Sequence, residues 1–163
     1  MKSIPRSLGW IAAFALLLAG CGDHDHAHNQ SPSAKGGHHH DSAHGGVAVE
    51  LGEHQFHLDF LHDAAAGTLT AWVMDAHVEN FVRVSLPAFE VRIVAGARTN
   101  TISMEAVANA STGETVGSTS MFRARADFLK GLEKFSGQVG PLELRGTHLP
   151  AAAFDYPAAP HEH

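Results

Sequence analysis

Residues Gln55–Met74 read QFHLDFLHDAAAGTLTAWVM. Phe56, Leu58 and Phe60 alternate with His57 and Asp59, the period of a strand that buries one face and turns the other to water. Thr68–Met74 is a second β-rich run. The five residues between them, Asp63–Gly67, carry turn chemistry at both ends, so the two runs make a hairpin. On this reading His57 and Asp59 share the polar side, and His57 is expected at the surface.

Working outward, Val47–Leu51 is a first strand stopped by Gly52. Phe81–Val84 and Phe89–Val94 are two more, with Pro87 marking a bend, bulge or edge between them. Arg98–Val107, Ser118–Ala126 and Val139–Arg145 complete the set. Seven to eight short strands in roughly 100 residues is the pattern of an all-β, immunoglobulin-like antiparallel β-sandwich, here spanning 47–149. Only Asp127–Phe135 breaks the period. Phe128, Leu132 and Phe135 stand at helical spacing behind Asp127, and Gly131 limits them to one short helical turn. Residues 150–163 are rich in Ala and Pro and read as an irregular tail in which Phe154 and Tyr156 can dock.

The chain opens with an address. Lys2 and Arg6 precede an uncharged run, Gly9–Gly20, which is too short to span a bilayer and fits a signal-peptide core, residues 1–20. It ends in Leu18-Ala19-Gly20-Cys21, which resembles the lipobox of bacterial lipoproteins. That resemblance implies cleavage before Cys21 and acylation of its thiol, leaving 143 of the 163 residues. The partner is then a lipid bilayer, since two or more acyl chains anchor stably. Gly22 follows the cysteine in place of the Asp that resembles an inner-membrane retention signal in enteric Gram-negative bacteria, and that resemblance implies the periplasmic face of the outer membrane over the inner.

Residues 21–46 form the next unit, a His/Asp-rich tether. His24, His26, His28, His38, His39, His40 and His44 lie in it, with no large apolar residue to repay ordering, so it is expected to be disordered. Imidazole suits Zn, Cu and Ni, and tracts of His with Asp are compositional metal binders. Those seven histidines are the candidate ligands, with Zn or Cu as the suspected ion. A pH-responsive or merely solvating spacer is the other reading of the same residues.

Composition bounds the rest. Eleven Lys+Arg against 17 Asp+Glu give a formal charge of −6, so no basic stripe points to nucleic acid. Fourteen of 163 residues are histidine, several times the ordinary share. The single cysteine excludes an intrachain disulfide and a cysteine-based zinc site. No GxSxG, HExxH or Gly-rich phosphate loop is present, so no enzyme and no organic cofactor are expected. Within the domain, a hairpin closed at 63–67 pairs positions summing to about 130. That register places His54 near His77, a candidate pair for one metal ion.

The segment GGVAVELGEHQFHLDFLHDAAAGTLTAWVMDAHVENFVRV resembles the opening of small periplasmic sandwich domains. These occur in His-rich bacterial lipoproteins and near the N-terminus of heavy-metal efflux adaptor subunits. The resemblance covers about 40 of 163 residues and implies metal handling in the periplasm with a metal-efflux or envelope protein as partner. The chain has none of the adaptors' coiled-coil or lipoyl-like segments, which implies an accessory protein rather than the pump component. An envelope protein-interaction module is the alternative function.

Overall fold

A computed structural model describes residues 40–159. The leader 1–20, Cys21, His24, His26, His28, His38 and His39 lie outside the described residues, as do His161 and His163.

The turn that the sequence marks is built as its residues suggest. Asp63 Oδ1 accepts the N–H groups of Ala65 and Ala66, each at 2.9 Å. Gly67 takes φ +65° and donates its N–H to the Asp63 carbonyl at 2.8 Å. This closes β2 (Phe56–Asp63) on β3 (Thr68–Met74), in register from Asp63 opposite Thr68 to His57 opposite Met74. On the other side β2 pairs with β1 (Val47–Leu51).

Beyond the hairpin follow β4 (Ala88–Ala95), β5 (Arg98–Ala106), β6 (Met121–Arg125) and β7 (Phe135–Val139). Then come β8 (Leu142–Leu144), β9 (Thr147–Leu149) and β10 (Ala152–Tyr156). The chain forms the expected all-β antiparallel sandwich with one short helical turn, a 3-10 turn at Asp127–Leu129. Its faces are continuous. Eight strands join in the order β1-β2-β3-β6-β5-β4-β7-β10, and β1 comes to lie beside β10, so the sheet is nearly barrel-shaped. Closure of this kind covers edges that would otherwise recruit other strands. The core inside it includes Leu58, Phe60, Val91, Ile93, Phe122 and Leu129, each 0 % exposed.

Three expectations change. Residues 150–163 are not an irregular tail throughout, because Ala152–Tyr156 pairs with β7 and Phe154 stacks on Phe60 with ring centres 4.6 Å apart. Gly137 makes room for that ring: a Cβ there would sit 2.2 Å from Phe154 Cζ. Phe81–Val84 is not a strand but two isolated bridges, Met74–Phe81 and Val84–Thr119. Val139–Arg145 divides, since the chain leaves β7 at Val139 and begins the β8–β9 hairpin at Leu142. Arg145 and Gly146, both at positive φ, close that hairpin, as two-residue hairpin turns require.

The fourth change moves a boundary. Residues 40–46, assigned to the disordered tether, are docked on the domain. Ser42 Oγ donates to Asp59 Oδ1 at 2.5 Å and accepts the N–H of Gly46 at 2.8 Å. The His44 N–H and ring Nδ1 lie 3.1 and 2.6 Å from Asp59 Oδ2. His44 also stacks on Trp72, ring centres 3.7 Å apart. This segment is a strap over the outer face of β2.

Candidate metal centre

The strap explains why the polar side of β2 is not wet. His57 and Asp59 do share a face, as the alternation requires, but they are 1 % and 0 % exposed. The surface position expected for His57 is therefore corrected. The strap covers it, and His40 from the strap meets it edge-on with ring centres 4.9 Å apart.

His40 is the common neighbour of three domain histidines. Its ring centre lies 6.4 Å from that of His54 and 6.3 Å from that of His77. Two imidazoles sharing one tetrahedral ion hold their ring centres ~5 Å apart, given metal–nitrogen bonds of about 2 Å. His40 thus stands within roughly an ångström or two of that spacing from each of the other three rings. As they stand they are not a closed cage, and among the described residues no group of three or more His, Cys, Asp or Glu side chains is placed to hold a metal ion.

Each domain histidine is held by its surroundings. His57 Nδ1 is 3.2 Å from the Asp75 carbonyl. A carbonyl only accepts, so Nδ1 carries the proton and Nε2 the lone pair. Burial lowers the His57 pKa first, and the nearby His40 and His54 add to the effect against the Asp75 carbonyl and Glu50. A neutral imidazole is the form that ligates metal. His54 sits in the β1–β2 turn at φ 56°, a left-handed conformation that histidine adopts more readily than most residues. Glu50 holds it there. Its Oε1 accepts the His54 N–H at 2.9 Å, and its Oε2 lies 3.2 Å from His54 Nδ1. A carboxylate behind an imidazole is the usual way to orient a metal-binding ring.

His77 stands on the loop after β3. The Asp75 carboxylate gathers that loop, accepting the N–H groups of His77, Glu79 and Asn80 and the Asn80 side-chain amide at 2.7 Å. These donors, the Asn80 amide first, hold the Asp75 carboxyl down at about 2. Asp75 therefore serves two of the histidines, His57 through its carbonyl and His77 through its carboxylate.

Set against the sequence, His54 and His77 stand on loops rather than on paired strand positions, and each has His40 as its neighbour. The β2–β3 register sums to 131, and pairing stops at His57–Met74, just short of them. Of the seven tether histidines, His40 reaches this centre and His44 does not, being spent on Asp59 and Trp72. Sequence reasoning missed His57 and Glu50. The available signal was that His57 is one register step from Asp75 on the same hairpin end as both loops.

Ser42, His44 and Asp59 supply the residue types of a hydrolytic triad, but the wiring differs. The serine hydroxyl donates to the carboxylate and not to the imidazole. The trio fastens the strap and does not activate a nucleophile. Comparison of the chain with protein-family models, curated proteins and solved structures gives no match, so the chemistry of this centre rests on its own residues.

Proposed function

We propose that the chain is a lipid-anchored periplasmic protein that binds a divalent transition metal, Zn or Cu, and serves a metal transport or resistance assembly. One observation carries the reading: His40, His54, His57 and His77 converge where the tether meets the domain. An all-imidazole donor set suits borderline ions and discriminates against Mg and Ca, which take oxygen ligands. The upstream histidines, His24, His26, His28, His38 and His39, supply further capture ligands, and acylation of Cys21 keeps the protein at the membrane.

The role is binding and not catalysis. The test is calorimetric titration of zinc, then copper(II), into the chain from residue 22. More than one ion per chain is expected, with the tightest at micromolar affinity or better. The variant His54→Ala/His57→Gln is expected to lose that tightest class and keep the weaker one. Binding no tighter than about a millimolar, roughly −4 kcal/mol, overturns the metal reading and leaves an envelope interaction module.

A further inference from the structure

Asp59 is a carboxylate that is 0 % exposed, and its ion-pair partner among the described residues is His44 rather than a Lys or Arg. Burying such a charge is costly unless it is well hydrogen-bonded. Here the donors are the Ser42 hydroxyl, the His44 N–H and the His44 ring. All three come from the strap. The strap also passes too close to β2 for any side chain at Gly46, where a Cβ would lie 1.8 Å from the Phe60 carbonyl oxygen.

The spacing of the two contacts matches. Asp59 and His57 are two residues apart on one face of β2, about 6.6 Å along a strand. Ser42 and His40 are two residues apart on the strap, a span of at most ~7 Å. Seating Ser42 on Asp59 therefore delivers His40 to His57. We infer that Asp59 is a positioning residue for the metal centre: through Ser42 and His44 it holds His40 as the fourth imidazole, so that metal capture and strap docking are one coupled event. The inference rests on the proposed metal binding and adds a mechanism to it. Coupling of this kind is reciprocal, so an ion on the centre also tightens the strap.

The test uses the full chain with His24, His26, His28, His38 and His39 replaced by Asn, so that the folded centre reports alone. Zinc(II) calorimetry gives affinity, and the copper(II) electron paramagnetic resonance spectrum reports the nitrogen ligands. Asp59→Asn and Gly46→Ala are each expected to weaken zinc about 10–100-fold and to shift the copper spectrum to that of His40→Ala. Adding Asp59→Asn to His40→Ala is expected to cost nothing further, because both remove the same ligand. Gly46→Ala lifts the strap sterically and keeps the carboxylate, so it decides the matter should Asp59→Asn fail to fold.

A merely structural Asp59 would lower thermal stability and leave the copper spectrum unchanged in Gly46→Ala, which overturns the inference. Full additivity of His40→Ala and Asp59→Asn overturns it as well. If the parent chain binds no zinc, or binds it undiminished after His57→Gln, the metal reading itself falls and this inference with it. Loss of binding in His57→Gln alongside intact Asp59→Asn and Gly46→Ala removes only the inference.

Discussion

His57 is buried beneath the strap, and its pKa is lowered chiefly because burial penalises the charged ring. His62 is lowered for the same reason, against the Leu129 carbonyl 3.1 Å from its Nε2. A histidine with a depressed folded pKa binds fewer protons folded than unfolded. Its contribution is intact above the unfolded value of about 6.5 and is lost as pH falls below it. The metal-free protein should therefore weaken between pH 7.5 and 5.5, with a limit of about 1.4 kcal/mol per pH unit for each such proton. Urea unfolding at the two pH values measures this, and His57→Gln with His62→Gln should flatten the difference. An unchanged difference would place the proton uptake elsewhere. Asp75 acts in a separate window. Its carboxyl is held at about 2, so what it contributes persists down to about pH 4 and fades only below that. Asp75→Ala releases four donors of the loop that carries His77. A fall in zinc affinity of about tenfold or more is expected, the scale of losing a group that orients a ligand, and equilibrium titration at pH 7.5 reads it.

Among the elements, β10 shows how an unpromising stretch becomes structural. Phe154 is 8 % exposed and lies between Phe60 and Phe135, with ring centres 4.6 and 6.2 Å away. Phe154→Ala should cost about 3 kcal/mol, the lower end for a buried phenylalanine. Gly137→Ala should cost about 1–3 kcal/mol by forcing that ring aside. Urea midpoints compare both with the parent, and a change under about half a kcal/mol in each would mean that β10 is not part of the cooperative fold. This strand was hidden in the sequence because Ala and Pro dominate around it and only Phe154 and Tyr156 signal a buried face. By contrast β1, β2 and β3 were legible almost to the residue, since alternation and the Asp63–Gly67 turn agree with each other. The helical spacing of Phe128, Leu132 and Phe135 came out as a single 3-10 turn, with Gly131 at φ +69° and Phe135 already opening β7. The site was half legible for a related reason. Register arithmetic points to His54 and His77, both of which neighbour His40, but alternation cannot say what covers a polar face. Only the docked strap turns His57 and Asp59 from surface residues into buried ones.

For the whole molecule, the folded domain begins at His40, seven residues earlier than composition alone suggests. Eighteen residues separate Cys21 from His40. However that stretch is arranged, it reaches at most ~60 Å when fully extended. An acylated Cys21 would therefore keep the folded centre within that distance of the bilayer, a range suited to exchanging ions with a membrane-embedded partner. Anchoring and metal binding are then separable by mutation. Cys21→Ala should move the protein from the membrane to the soluble fraction of an expressing Gram-negative cell and leave the tightest zinc affinity unchanged. Replacing His24, His26, His28, His38 and His39 should do the reverse. The protein stays at the membrane and the number of zinc ions per chain falls, while the tightest one is retained by His40, His54, His57 and His77. Fractionation followed by calorimetry on both variants reads the two properties independently. Loss of the tightest ion with the upstream histidines would put the principal site in the tether and reduce the four-imidazole centre to a docking contact. Its retention would make the domain the holder of the ion and the upstream histidines its supply.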